Sequence, residues 1–257
     1  MVRTVVVPLD GSERAARVLG PANWLAEALD ADLVLVTSTF AGDTARDEAI
    51  LARALARTTC AGARTALGRG ASPAGDILQI AAECPDPMIC MATHGRRALP
   101  TMVVGSVAHE VLTRSTSPMM LVGPRFDVRT PQTEDVVIAV QDLPKVSSGI
   151  PLAADIARAL AFRAHVVHVG RAAADAAEPV AAATARDLQG RGVDAGAWDL
   201  VAETVAPPIL ALVRSLDARF LAIGCNPCPD GIERALGRTA LDLLRDAPCP
   251  VILEHPL

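Results

Sequence analysis

Tyrosine is absent from this chain of 257 residues, and aromatics make up only 2% of it, with two tryptophans at Trp24 and Trp198. Rows of aromatic platforms for stacking nucleic-acid bases are therefore excluded. Lysine occurs once, at Lys145, and the formal net charge is −5. That excludes the broad basic field of a dedicated nucleic-acid binder. No stretch approaches the ~20 consecutive apolar residues that a membrane-spanning helix needs. The opening apolar run is short and leads straight to Asp10 and Glu13, which is not signal-peptide anatomy. Six cysteines in a chain with no export signal read as reduced thiols. A cytoplasmic protein with neither a nucleic-acid nor a membrane partner is expected. Two catalytic signatures are also missing. There is no G-x-x-x-x-G-K-[ST] loop and no G-x-S-x-G elbow.

What is present is aliphatic: 51% of the residues are apolar. That is ample for a core, and at roughly 100–200 residues per domain the length suits two small domains or one large one. An internal repeat decides for two. Val5-Val6-Val7 opens the first half, and Val136-Val137-Ile138 opens the second, 131 positions later. Ser117 to Pro124 matches Cys249 to Pro256 at an offset of 132. Two matches at nearly one offset, at opposite ends of the unit, indicate duplication. The expected domains are residues 1–125 and 134–257, joined by a polar linker containing Pro131.

Each half alternates short apolar runs with longer amphipathic ones. Strands are expected at 4–9, 33–38, 65–69, 88–92 and 119–122, and helices at about 12–29, 44–60, 73–84 and 105–115. In the second half strands are expected near 136–140, 165–169, 197–201, 219–223 and 250–253. The helices between them are expected near 148–163, 177–191, 205–217 and 234–245. The runs barely alternate in polarity, as strands buried on both faces do. Strand–helix alternation with short loops implies an α/β class with a doubly wound parallel sheet in each half. Such sheets bind ligands beyond the carboxyl ends of their strands, at the switch point.

Two loops of the first half converge on that edge. One is Pro8-Leu9-Asp10-Gly11-Ser12. The other is Met91-Ala92-Thr93-His94-Gly95, followed nine residues later by Gly105-Ser106. Asp10 suits an Asx turn or N-cap, and equally a carboxylate that accepts from a ribose hydroxyl or an amino group. Gly95 permits close backbone approach. Gly105 and Ser106 stand at a helix start, where amides and a hydroxyl hold phosphate oxygens. Arg96 and Arg97 suit screening of phosphate charge.

These residues resemble the universal stress protein family: the opening VVVPLDGSE, the run MATHG followed by GSVAHEVL, and the close SPMMLVGP. The family's nucleotide motif is Gly, two residues, Gly, nine residues, Gly, then Ser or Thr. Its spacing is kept here, with Ala92 in place of the first glycine. The resemblance covers both halves, so the chain looks like a tandem member. It implies a five-stranded parallel sheet of order 3-2-1-4-5 in each half and binding of an adenine nucleotide, usually ATP, with or without a magnesium ion. By family position Asp10, with Pro8 and Leu9, would hold the adenosine end, and Ser38 would line the adenine pocket with main chain. Met91, His94 and Gly95 would flank the ribose and phosphates. Gly105, Ser106, Val107 and Ala108 would receive the phosphates. If position 92 needs φ > 0, Ala92 costs roughly 1–2 kcal/mol; if it needs only a small side chain, Ala92 is nearly harmless. The implied role is a regulatory or stress-response module. At most, His94 would assist slow ATP hydrolysis, because no paired acid and base is evident.

The second half departs from the motif. The strand-1 aspartate becomes Gln141, the second glycine becomes Pro227, and the serine becomes Arg238. Proline cannot serve as a permissive glycine. This half is expected to keep the fold without binding ATP. Family members commonly dimerise through the last strand, so either a pseudo-dimer of the two halves or a homodimer is expected. A rival reading is a scaffold that acts through protein contacts or through Cys225-Asn226-Pro227-Cys228, a C-x-x-C after a strand. No metal site is expected, because the C-x-x-C lacks a second ligand pair. His165 and His168 would fall on opposite faces of a strand.

Overall fold

The computed structural model describes residues 1–39, 44–94, 104–128, 133–141, 151–170, 179–224 and 232–254, with backbone alone for 232–235. They group into two compact units that divide between Pro124 and Arg125.

In the first unit the elements run β1 (Thr4–Pro8), α1 (Glu13–Ala16), α2 (Leu19–Ala28), β2 (Asp32–Ser38), α3 (Thr44–Leu55), β3 (Ala63–Gly68), α4 (Pro73–Ala82), β4 (Pro87–Ala92), α5 (Ser106–Arg114) and β5 (Met119–Val122). Its strands are all parallel, in the order β3-β2-β1-β4-β5. β1 is buried along its whole length, and Val5, Val6 and Val7 have no exposed surface. Each such valine contributes about 1.5–3 kcal/mol by leaving water. This explains why the run does not alternate: helices cover both faces of a parallel sheet.

The second unit repeats the plan with β6 (Asp135–Val140), α6 (Pro151–Ala159), β7 (Arg163–Gly170), α7 (Val180–Gly190), β8 (Ala195–Val201), α8 (Ala206–Ser215), β9 (Leu221–Gly224), α9 (Ile232–Asp246) and β10 (Val251–Glu254). Its order is β8-β7-β6-β9-β10, again parallel. The 3-2-1-4-5 order is thus present in both units. The backbone carries the duplication too. Asp30 and Asp86 hold φ of 52° and 42°, and Ala161 and Asp217, each 131 positions on, hold 54° and 50°. After Asp30, Ala161 and Asp217 the next amide reaches back to close the preceding helix, as in Ala31 N–H to Ala26 O at 2.8 Å and Phe162 N–H to Ala157 O at 2.8 Å.

The expected helix at 12–29 is two helices. Arg17 and Val18 donate to the carbonyls of Arg14 and Ala15, three residues back, and the chain then restarts at Leu19. Pro21 is the cause. It has no N–H and its ring collides with the carbonyl four residues earlier, so it is tolerated only in the first turn of a new helix. The expected helix at 148–163 ends at Ala159, because Phe162 closes the turn through left-handed Ala161.

Candidate functional site

The order β2-β1-β4-β5 places the carboxyl ends of β1 and β4 side by side. After β1 the ladder continues for one more bond, Leu9 N–H to Val36 O at 2.7 Å, which keeps Leu9 buried at the sheet's edge. The chain then turns at Gly11, whose φ of 78° needs glycine. Asp10 stabilises the turn. One of its carboxylate oxygens accepts from the Ser12 amide at 2.9 Å and from the Ser12 hydroxyl at 2.6 Å. Ser12 in turn caps α1, its Oγ accepting from the Ala15 amide at 3.1 Å. Asp10 is therefore an Asx-turn residue, half-buried at the switch point.

On the other side, Met91 is buried and Ala92 ends β4, paired with Val122. Ala92 is extended and not among the residues with positive φ. The left-handed penalty therefore does not arise, and alanine fits the position as a small side chain. Thr93 is buried and its hydroxyl shares a hydrogen bond of 2.9 Å with His94 Nδ1. The Thr93 carbonyl accepts the Gly105 amide at 2.7 Å. That bond ties the start of α5 to the end of β4. A Cβ on residue 105 would stand 3.3 Å from the same carbonyl, so glycine allows the approach.

Gly105 is the N-cap of α5, with φ −71° and ψ 162°, and as glycine it has no side chain with which to cap the helix. Its first turn is Ser106, Val107 and Ala108, with Ser106 exposed and Ala108 buried. Uncapped amides at the positive end of a helix dipole bind anions. Gly95, Arg96 and Arg97 lie outside the described residues. Ser38 ends β2, the strand on the far side of β1. Its hydroxyl is turned to the carboxylate of Asp76, a buried residue of α4 that no motif marks. The sequence signal for Asp76 was its place in the first turn of a helix opened by Ser72 and Pro73, a pattern that suits any exposed carboxylate equally well.

The second unit differs at each counterpart. Gln141 is exposed after β6. Gly237 stands inside α9 with ψ 164° but with φ 71°, opposite in sign to the φ of Gly105, and Arg238 is exposed. Two helix starts are closed by the unit's own carboxylates. Glu254 accepts from the amides of Leu152 and Ala153 at 2.9 and 2.6 Å, and Asp199 from those of Ala181 and Ala182 at 2.9 and 3.1 Å. Burial pushes the Glu254 carboxyl up to about 7, against the pull of its two amide bonds. His165 and His168 take separate partners, Asp135 and Asp199. Cys225, Asn226, Pro227 and Cys228 lie outside the described residues. Among the described residues no group of acidic, histidine and cysteine side chains could hold a metal ion, and no helix is long and apolar enough to cross a membrane.

Residues 1–123 match the model of the universal stress protein family. The first half of this chain belongs to the universal stress protein family. The universal stress protein plan extends over both halves in solved structures. One from Archaeoglobus fulgidus is 17% identical, with 98% of each chain covered and a TM-score of 0.75. A functionally unknown protein of Pseudomonas aeruginosa is also 17% identical, covers 99% of this chain and 93% of its own, and gives a TM-score of 0.68. At such identity the likeness is one of fold. No curated protein matches the chain.

Proposed function

We propose that the universal stress protein half binds an adenine nucleotide, ATP with or without magnesium, and that the protein is a cytoplasmic regulatory or stress-response module rather than an efficient catalyst. The observation that carries this reading is the start of α5, capped by a glycine and pinned beside the end of β4 by the Gly105–Thr93 bond. Ser106, Val107 and Ala108 would receive the phosphates there. Asp10, with Pro8 and Leu9, would take the adenosine end, and the ends of β1 and β2 would line the base with aliphatic groups and main chain. Ala92 supports the reading because its own backbone is extended, so alanine costs nothing there. The second half would keep the fold without this site. Arg238 in place of the serine and the positive φ at Gly237 support that division.

Melting curves with MgATP, AMP and GTP test it. A ligand at 100 times its Kd adds about 2.7 kcal/mol of stability. A shift with the adenine nucleotides is expected, shrunk by Asp10→Ala and Ser106→Ala and untouched by Gln141→Ala. Absence of a shift with every adenine nucleotide overturns the reading.

A further inference from the structure

Asp76 is 3% exposed, and its hydrogen-bond donors are a hydroxyl and a main-chain amide rather than a cation. One oxygen accepts from the Ser38 hydroxyl at the end of β2. The other accepts from the Gly70 amide, 2.7 Å away, in the turn after β3. A Cβ at Gly68 or at Gly70 would overlap the Asp76 side chain, so both positions are glycine to let the carboxylate in. Beside it, Thr39 donates its amide and its hydroxyl to the Gly68 carbonyl at 2.9 and 3.0 Å. The ends of β2 and β3 and the start of α4 are thereby locked together around one buried carboxylate. Burying such a group without a counter-ion is costly, so it is retained only where several donors repay it.

The consequence lies one strand away. Among the described residues the β1–β2 ladder ends at Leu9 N–H to Val36 O. Beyond that bond the main chain of Thr37 and Ser38 has no partner on β1, above the Asp10 turn. Asp76 holds the Ser38 side chain away from that opening, toward α4. We propose that Asp76 is the positioning residue for the base end of the nucleotide site: it fixes the main chain of Ser38 against which the adenine rests, and it plays no part at the phosphate end. The inference rests on the nucleotide reading above and adds a division of labour within it.

The test separates the two ends with two probes, adenosine and inorganic tripolyphosphate, titrated calorimetrically into the full chain. Asp76→Ala should weaken adenosine by about tenfold, since misplacement by an ångström is enough for a loss of that size or more. Tripolyphosphate should bind Asp76→Ala as it binds the wild type. Ser38→Ala removes one of the two bonds with little change of volume. It should show the same selective loss, smaller in size, and it serves if Asp76→Ala does not fold. Equal losses for both probes, or an undiminished adenosine affinity, would overturn the inference while leaving the nucleotide reading in place. A wild-type chain that binds neither probe overturns both.

Discussion

The Gly105 amide and the Thr93 carbonyl meet at 2.7 Å, joining the start of α5 to the end of β4. This bond sets how far the helix start stands from the sheet. A methyl at residue 105 would press on its own acceptor at 3.3 Å. The φ of −71° suits any L residue, so backbone strain is not involved. Gly105→Ala should therefore cost only a few degrees of Tm. It should weaken tripolyphosphate by about tenfold through displacement of the amides. Calorimetry beside a melting curve checks the split, and an unchanged tripolyphosphate affinity would count against the site.

Glu254 gives the second unit a pH dependence. Its carboxyl titrates at about 7 when folded, against an ordinary value near 4.5, because burial penalises the anion. Between those values the folded state holds the proton more tightly than the unfolded one. The contribution is complete below 4.5 and is lost as pH rises through 7. The size is of order 1–3 kcal/mol. Urea midpoints at pH 5, 6, 7 and 8 should fall with pH in the wild type, and Glu254→Gln should flatten the slope. An identical slope in both would refute the assignment.

Trp198, on edge strand β8, donates its indole N–H to His165 Nδ1 at 3.1 Å, and His165 Nε2 in turn donates to Asp135 at 2.7 Å. With one nitrogen accepting and the other donating, His165 is the neutral imidazole protonated on Nε2. In a Trp24→Phe background Trp198 is the sole indole. There, His165→Ala should red-shift its emission and cost about 1–3 kcal/mol for the unmade bonds. An unshifted spectrum would show that the chain of bonds does not form in solution.

The thiols should divide by burial. Cys90 has no exposed surface and burial drives its pKa far upward; the buried Cys249 thiol is pushed up to about 12. Cys60 is half-buried. Thiolate is the reactive form. Peptide mapping after brief alkylation at pH 8 should find Cys60 modified, with Cys90 and Cys249 labelled only in urea. Labelling of Cys90 at the rate of Cys60 would contradict this packing.

Much of the fold was legible in residue order because its causes are local or periodic. Runs such as Val5-Val6-Val7 declare strands covered on both sides. Ser72-Pro73 declares a helix start. The recurrence of one pattern at 131–132 positions declares two units. The split of the first long helix was missed because the effect of Pro21 depends on whether it falls inside a helix or in its first turn, and only the settled chain decides that. That a helix starts at Gly105–Ser106 was legible, since glycine before an apolar periodic run is a common N-cap.

The sequence by itself determined the parallel α/β class, the duplication, and the two strands, β1 and β4, whose ends carry the motif residues. Only the tertiary structure decided what each polar residue does there. Ala92 proved extended and unstrained, Asp10 an Asx-turn anchor, and Asp76 the buried acceptor that joins β2 to the turn after β3. The physical reason is range. Hydrophobic period and turn chemistry act over a few residues and are written in order along the chain. A buried carboxylate finds its donors 38 and six residues away, and only strand order brings them within reach.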